Sequence, residues 1–405
     1  YFNEGASVPG MRDNLKRDNV RGTPTVHVGQ PDFILLVVTI VLVGFGIVMV
    51  YSASHHVAYA ELGDSAYFLK RQLVWAVIGF ILLYIAMNIP YLFYRKLIPI
   101  VLLVLLIMMV LVLIPGIGTE EYGARRWLDL KVMTLQPSEF VKLGLILYLA
   151  SIFAKKQSYI DNFKKGVLPP LMIAGLFCGL TLAQKDLGTT TLLMMFTLII
   201  MFAAGVRLLH IIGLGLVGAA CFAIFALTQP YRLKRLIAFR DPWADPLDSG
   251  YQLIQSLYAF GNGGLWGAGF DNSVQKQFYL TFAHTDFIFA VIGEEWGFIG
   301  TSAVILLYLV LVIRGIQVAL RSPHPFGMLL GVGLASMVGL QAMINMGVAS
   351  GLLPVTGLTL PFISYGGSSL LLNLVSMGIL LNIARYSAIQ TRKEKDKDEF
   401  KLRAL

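Results

Sequence analysis

Runs of about 20 apolar residues recur along almost the whole chain, and each is long enough to cross the hydrocarbon core of a bilayer as a helix. They lie near 33–53, 72–89, 97–115, 139–154, 167–184, 188–206, 208–228, 286–313, 326–348 and 360–384. Hydrophobic residues make up 57% of the chain and charged residues only 14%, which excludes a soluble globular protein. Period-two alternation is absent, and open sheet edges would leave backbone groups unpaired in lipid. We therefore expect an all-α membrane bundle of about ten transmembrane helices.

The basic residues predict the orientation of this bundle, because segments facing the cytoplasm carry an excess of Lys and Arg. An even number of spans puts both termini on one side, which holds 20 basic residues against 11 on the other. Both termini are therefore expected in the cytoplasm, and a long extracytoplasmic loop, 229–285, joins the seventh and eighth spans. A loop of that length is uncommon unless it is functional. Topology also explains the net charge of +9 without nucleic acid as a partner.

Three parts of the chain follow from this topology. Residues 1–31 are predicted to form a cytoplasmic N-terminal segment, residues 32–386 the transmembrane domain, and residues 387–405 a basic cytoplasmic tail. Residues 1–10 precede Met11 and lack an apolar core, so they are not interpreted as a cleaved signal peptide. An added leader is one interpretation of them.

Ionisable residues inside or at the edge of a span are costly to keep in lipid and are usually functional. Four sets qualify: Asp286 with Glu294 and Glu295, Glu139 with Lys142, Asp186, and Arg125 with Arg126. Each has a structural alternative. Asp286 and Asp186 both precede predicted helices and could act as helix caps. Glu139 and Lys142 are three residues apart and could form a packing ion pair, while the outer cations could pair with carboxylates of their own loops.

Other chemistry-bearing motifs are weak. No compact metal-ligand spacing is present, and His284 is more often a loop histidine than a catalyst. Cys178 and Cys221 lie in apolar runs and are interpreted as small buried hydrophobes rather than a disulfide or metal pair. The glycine-rich stretches 261–264 and 366–367 follow no strand, so they indicate turns or close helix approach rather than a nucleotide loop. The residues alone thus predict an outer polar site without naming its substrate.

Distinctive stretches occur in a fixed order along the chain. They are Gly123-Ala124-Arg125-Arg126-Trp127, Gln136-Pro137-Ser138-Glu139-Phe140 with Lys142, Asp186-Leu187-Gly188-Thr189, Gly250-Tyr251-Gln252 with Gln255-Ser256, His284-Thr285-Asp286-Phe287-Ile288-Phe289-Ala290 and Pro361-Phe362-Ile363-Ser364-Tyr365-Gly366-Gly367-Ser368. On these residues the chain resembles the SEDS family of shape, elongation, division and sporulation proteins over about 32–386. The stretch Leu358-Thr359-Leu360-Pro361 is more similar to the division and sporulation branch than to the elongation branch.

The resemblance implies a peptidoglycan glycosyltransferase that polymerises lipid II with inversion and loss of undecaprenyl diphosphate. Asp286 matches the family's candidate catalytic base, which would activate the acceptor 4-hydroxyl. Substrate-binding roles are implied for Arg125, Arg126, Glu139, Lys142, Asp186, Gln255, Ser256, His284 and Ser364. Positive charge would stabilise the departing diphosphate. A divalent cation, Mg²⁺ or Mn²⁺, held between Asp286 and the diphosphate is compatible with these residues but is not firmly implied.

The implied partners are lipid II, the undecaprenyl-linked glycan strand, membrane lipid and a class B penicillin-binding protein. The implied location is the bacterial inner membrane, with the site facing outside the cytoplasm. Two alternatives stay open, a lipid II flippase and a scaffold that activates the penicillin-binding protein, although no convincing internal repeat supports a transporter. The chain departs from the family pattern twice. Leu280-Thr281-Phe282 replaces Leu-Pro-Glu, and Lys185 replaces a usual proline.

Overall fold

A computed structural model describes residues 29–121, 124–129, 134–227, 234 and 237–403, without the side chains of 226 and 388–403. Its principal helices are α1 (Phe33–Leu62), α2 (Tyr67–Asn88), α3 (Tyr91–Leu113), α4 (Pro137–Lys155), α5 (Leu168–Ala183), α6 (Leu187–Ala203), α7 (Leu208–Leu227), α8 (Tyr251–Gly263), α9 (Ile288–Leu320), α10 (Pro325–Ala349) and α11 (Gly367–Arg403). A π-helical turn, Phe163–Val167, leads into α5, and single 3₁₀ turns lie at Gln157–Tyr159 and Pro242–Ala244.

The predicted membrane helix bundle is confirmed. Within the described ranges, nine helical segments are long and apolar enough to span a bilayer, and α6 is a shorter apolar helix. All ten predicted runs therefore coincide with apolar helices, while the number of crossings itself stays a prediction. Helix α10 and the Gly367–Ser387 part of α11 are mostly buried, whereas α7 is almost wholly exposed at the rim. Residues 1–28 of the predicted N-terminal segment 1–31 lie outside the described residues, as do residues 404–405 and the side chains of 388–403 in the predicted tail 387–405.

A small antiparallel sheet in the α3–α4 connection was not predicted from the sequence. Its strands are β1 (Gly118–Glu121), β2 (Ala124–Asp129) and β3 (Thr134–Leu135), in the order β1-β2-β3. In β2, Arg125 lies opposite Glu120 of β1. Strands this short and polar have no clear apolar alternation, and cross-strand pairs such as this one stabilise them instead.

Three helices differ in extent from the predicted runs. Helix α1 has 30 residues, hence a length of about 45 Å, and extends well beyond a hydrocarbon core of about 30 Å. Helix α9 has 33 residues but is broken at Gly297. Helix α11 begins at Gly367 rather than at 360, because the apolar residues Leu360, Phe362 and Ile363 are buried in a turn instead of a helix. The apolar character of this stretch therefore indicates burial and not helical structure.

The bundle has two distinct ends, which α11 connects. At one end, Arg385 donates hydrogen bonds to the carbonyls of Gly29 and Met87, at 3.2 Å each. We call this the terminal end, because it holds the first described residues and the start of the tail. Gly367, 18 residues before Arg385, is about 27 Å away along the helix axis. The opposite end contains Asp286 and is called the Asp286 end.

Candidate active site at the Asp286 end

Asp286 lies in the turn directly before α9 and is half-buried. Phe287, not Asp286, occupies the N-cap position, and no side chain of that residue caps the helix. The helix-cap alternative is therefore not met at this position. The carboxylate faces Gly357, whose φ is 73°; a side-chain carbon added at Gly357 would lie 3.5 Å from Asp286 Oδ2. The glycine backbone thus forms one wall of the carboxylate's surroundings.

The backbone carrying Asp286 is anchored at three consecutive residues. The carbonyls of His284, Thr285 and Asp286 each accept a hydrogen bond from a distant part of the chain. In that order, the donors are Tyr365 N at 2.9 Å, Ser364 Oγ at 2.6 Å and Asn345 Nδ2 at 2.8 Å. Buried polar groups with good partners hold one geometry, so this segment is well defined. Ser364, a predicted substrate-binding residue, acts here on the backbone segment that carries Asp286.

Two amides of α10 support this arrangement and were missed by the sequence analysis. Asn345 Nδ2 also donates to the carbonyl of Leu358, at 2.6 Å. Gln341 Nε2 donates to the carbonyl of Thr359, at 3.0 Å. Gln341 and Asn345 are fully buried and four residues apart, hence on one helix face. Two amide side chains at that spacing in an apolar run are the sequence signal that could have identified these residues.

Glu139 and Lys142 form the predicted ion pair, with 2.8 Å between Glu139 Oε2 and Lys142 Nζ. Lys142 is fully buried, and its Nζ also donates to Gln341 Oε1 at 2.7 Å. The pair therefore connects α4 to the amides of α10. Removing one partner of a buried pair commonly costs about 3–5 kcal/mol, since the other charge is left unpaired. The packing alternative is thus confirmed for these two residues.

The two arginines of β2 are both engaged. Arg125 Nη2 lies 3.0 Å from Glu120 Oε2, which confirms the predicted alternative of pairing within the loop. Arg126 donates to the carbonyls of Gln184 at 3.3 Å and Lys185 at 2.5 Å. Arg126 therefore ties the sheet to the turn between α5 and α6. Both guanidinium groups therefore already have hydrogen-bond or ion-pair partners within the protein.

Asp186 caps α6, as its structural alternative predicted. Its Oδ1 accepts from Thr189 N at 3.0 Å and its Oδ2 from Thr189 Oγ1 at 2.9 Å. Lys185, beside it, has φ 60°. Proline cannot adopt that value, because its ring holds φ near −65°. The departure from the family pattern at Lys185 therefore gives this turn a conformation that a proline would not permit.

The remaining predicted binding residues lie around the same end. Ser256 is fully buried, and its Oγ donates to the carbonyl of Ala349 at 2.6 Å, which ties α8 to the end of α10. Gln255 is half-buried on α8. The His284 ring lies 4.5 Å from the Phe68 ring, and burial lowers its pKa to about 4. His284 is therefore neutral near pH 7 and does not supply positive charge to a diphosphate.

A second polar cluster anchors the long loop before Asp286. Glu295 Oε1 lies 2.8 Å from Lys276 Nζ and accepts from Ser52 Oγ at 2.5 Å. Glu294 accepts hydrogen bonds from the loop through Ser273 Oγ, Asn262 Nδ2, Val274 N and Gln275 N. Both carboxylates are buried. Both carboxylates therefore stabilise the loop. Asp286 lies instead in the backbone segment that Asn345 of α10 anchors.

Comparison with known proteins agrees with this architecture. Residues 33–389 match the family described as cell cycle protein, which groups FtsW, RodA and SpoVE. The chain is 46% identical to "Stage V sporulation protein E" of Bacillus subtilis, over 88% of this chain and 98% of that protein. It is 47% identical to "Probable peptidoglycan glycosyltransferase FtsW" of Trichlorobacter lovleyi, over 88% and 94% of the two chains.

Two solved structures are similar to the whole bundle. One is described as "Structural coordination of polymerization and crosslinking by a peptidoglycan synthase complex", with a TM-score of 0.72 and 30% identity over 88% of this chain and 98% of that chain. The other is the rod shape determining protein RodA of Thermus thermophilus, with a TM-score of 0.65 and 28% identity over the same shares. Identities of 46–47% to sporulation and division proteins, against 28% to RodA, confirm the predicted branch.

Proposed function

Because this chain belongs to the FtsW, RodA and SpoVE family, it is a peptidoglycan glycosyltransferase of division or sporulation, and we propose that Asp286 is its general base in lipid II polymerisation. The supporting observation is the anchoring of three consecutive carbonyls around Asp286 by Asn345, Ser364 and Tyr365. A general base is effective when its position relative to the proton is fixed. The Asp186 carboxylate accepts hydrogen bonds from Thr189 through both of its oxygens and caps α6.

The chemistry requires one proton to leave and one bond to break. Asp286 takes the proton from the acceptor 4-hydroxyl while that oxygen attacks the anomeric carbon of the donor. The new glycosidic bond forms on the face opposite the leaving group, so the anomeric centre inverts. The bond between the anomeric carbon and the diphosphate oxygen breaks, and its electron pair leaves on undecaprenyl diphosphate. Protonated Asp286 then releases its proton to solvent.

The Asp286 end is proposed to face outside the cytoplasm of the inner membrane. The count of 20 basic residues on the terminal side against 11 on the other supports this orientation. Lipid II presented at the outer surface would then reach Asp286, with its undecaprenyl chain among the membrane lipids. The growing undecaprenyl-linked glycan strand would extend on the same side.

A class B penicillin-binding protein is the proposed protein partner. Support comes from the similar structure of a peptidoglycan synthase complex, in which polymerization and crosslinking are coordinated. A partner that crosslinks would act on the strand that leaves the Asp286 end. The chain would then supply the glycosyl transfer and the partner the peptide crosslinks.

A divalent cation is a further proposal for the diphosphate. Within the described ranges, no group of three or more His, Cys, Asp or Glu side chains could hold a metal ion. Mg²⁺ is commonly bound through one or two carboxylates plus substrate phosphates. An ion bound through the diphosphate oxygens would neutralise charge on the leaving group. Asp286 would not ligate that ion while it acts as the base, because the base and the leaving group lie on opposite faces of the anomeric carbon.

The test compares native protein with Asp286→Asn in lipid II polymerisation and lipid II binding. The substitution removes the base and keeps the shape, so polymer should fall by about 100-fold or more while binding is retained. Asp248→Asn is the matched control, because Asp248 is an exposed carboxylate of the same loop. Normal polymerisation by Asp286→Asn would overturn the role of Asp286.

A further inference from the structure

Arg71, in the second turn of α2, is an exposed cation at the Asp286 end. Its guanidinium carbon lies 5.0 Å from the centre of the Tyr67 ring, and the guanidinium interacts electrostatically with the Tyr365 side chain. Its neighbour Lys70 is paired instead, with Nζ 2.8 Å from Asp64 Oδ2. Among the described residues no carboxylate forms an ion pair with Arg71, so two aromatic residues position a guanidinium whose charge is not neutralised.

Tyr365 connects this guanidinium to the catalytic segment. Its backbone N–H donates to the carbonyl of His284 at 2.9 Å, and its ring centre lies 5.8 Å from that of His284. Phe68 packs against both, with ring centres 4.9 Å from Tyr365 and 4.5 Å from His284. An aromatic layer of Phe68, His284 and Tyr365 therefore connects Arg71 to the segment that carries Asp286.

The cations that were predicted to bind the substrate already have partners within the protein. Lys142 is fully buried with Glu139, Arg125 is paired with Glu120, and Arg126 holds backbone carbonyls. A leaving diphosphate nevertheless needs positive charge near its oxygens. Arg71 meets this need, because its planar fork presents several N–H donors that suit phosphate oxygens.

We propose that Arg71, held by Tyr67 and Tyr365, binds the diphosphate of the polyprenyl-linked substrate. This inference rests on the proposed function and deepens it. In an inverting transfer, the base and the leaving group lie on opposite faces of the anomeric carbon, so the base and the diphosphate site must be separated. The donor sugar would occupy the space between Asp286 and Arg71, which both lie at the Asp286 end. The position of Arg71 near the end of a spanning helix also suits a phosphate attached to a membrane lipid.

The experiment measures binding and turnover by the full chain in phosphatidylcholine nanodiscs containing phosphatidylglycerol. The probes are undecaprenyl diphosphate for binding and lipid II for polymerisation. In Arg71→Gln the Kd for undecaprenyl diphosphate and the KM for lipid II should both rise by about tenfold or more. Arg71→Lys keeps the charge but loses the planar fork, so its Kd should lie between that of native protein and that of Arg71→Gln. Lys70→Gln is the matched control and should behave like native protein.

Three results would overturn the proposal. They are an unchanged Kd in Arg71→Gln, an equal rise in Lys70→Gln, and a change confined to bound phosphatidylglycerol, which would assign Arg71 to bulk phospholipid. If the thermal unfolding midpoint of Arg71→Gln falls, Arg71→Lys supplies the comparison. Binding of undecaprenyl diphosphate needs no turnover, so this result stands apart from any failure of Asp286→Asn to abolish polymerisation.

Discussion

At the scale of single residues, the buried polar side chains of this protein act mostly by holding backbone carbonyls. Asn345 bridges the carbonyls of Asp286 and Leu358, and Ser364 holds that of Thr285. Each such bond satisfies a polar group that would otherwise be costly to bury. The segment on either side of the Asp286 carboxylate is thereby fixed from α10 and from the turn before α11.

Asn345 is therefore expected to be a positioning residue. Asn345→Leu keeps the volume approximately but removes both hydrogen bonds, so kcat should fall by about tenfold or more while KM for lipid II changes little. The matched control is Asn373→Leu, because the Asn373 amide is also buried but donates within its own helix, to the Ser369 carbonyl at 2.8 Å. The measurement is steady-state polymerisation of lipid II, together with the thermal unfolding midpoint. Equal losses of kcat in both variants would contradict a specific role for Asn345.

At the scale of elements, α9 is a discontinuous helix, and the preceding loop forms hydrogen bonds with the backbone groups that the break leaves unpaired. Gly297 has φ 65° and ψ −161°, which interrupts the helical hydrogen bonds. The freed carbonyls of Glu294 and Glu295 accept from the N–H groups of Ala268 and Gly269, at 2.8 and 3.1 Å. On the other side of the break, Phe298 N donates to the Gly264 carbonyl at 2.9 Å. Broken helices are tolerated at membrane depth when other backbone groups satisfy them in this way.

The break also changes which residues span the membrane. The second part of α9, 298–320, has 23 residues and a length of about 34 Å, enough to cross the hydrocarbon core. The first part, 288–296, stays with the loop at the Asp286 end. The predicted span 286–313 therefore had the correct helix with the wrong boundaries, because the apolar residues 287–292 before the break extend the apolar run of the second part.

Gly297 should tolerate no side chain. A carbon added there would lie 2.4 Å from Gly267 N, and positive φ adds backbone strain, so Gly297→Ala should lower the free energy of unfolding by ~2 kcal/mol or more. Gly261→Ala is the control, since nothing lies within 4 Å of the added carbon and alanine is favoured over glycine inside a helix. Unfolding midpoints in detergent measure both. A Gly297→Ala protein as stable as native would contradict the interpretation that the loop backbone packs against the break at Gly297.

At the scale of the whole molecule, polar chemistry is concentrated at one end. The aromatic layer, the anchored Asp286 segment and the buried Glu295–Lys276 pair all lie at the Asp286 end. At the terminal end, Arg314 Nη2 lies 2.8 Å from Asp32 Oδ2, and Arg385 holds Gly29. These contacts fasten the start of α1 to α9 and α11, which keeps the helix ends in register across the bilayer.

The orientation of the two ends can be tested with single cysteines. The background replaces Cys178 and Cys221, the two native cysteines, with alanine. In spheroplasts, Asp248→Cys should react with a membrane-impermeant maleimide, whereas Arg321→Cys should react only after permeabilisation. Both positions are exposed at their ends of the bundle. The reverse labelling pattern would place Asp286 in the cytoplasm and contradict the proposed access of lipid II.

Much of the fold could be predicted because membrane insertion is governed by local apolarity. The ten apolar runs coincide with helices, and the buried pairing of Glu139 with Lys142 followed from their spacing. The sheet that carries Arg125 and Arg126 was missed, since its strands are short and have no apolar alternation. Among the site residues, Asp286 was proposed from its place at the edge of a span together with the family resemblance, whereas its supporting amides were not predicted.

The sequence by itself determined the membrane bundle and predicted its orientation and an outer polar site, because hydropathy, basic residue counts and isolated charges are local properties. The candidate base Asp286 came from the family resemblance. Only the tertiary structure decided which polar groups meet: Asn345 with Asp286, Lys142 with Gln341, and Arg71 with Tyr365. Residues far apart in the chain must find partners when water is excluded, and the partner chosen depends on how the helices pack. Packing also decided that Asp186 is the N-cap of α6, whereas the N-cap position of α9 is occupied by Phe287.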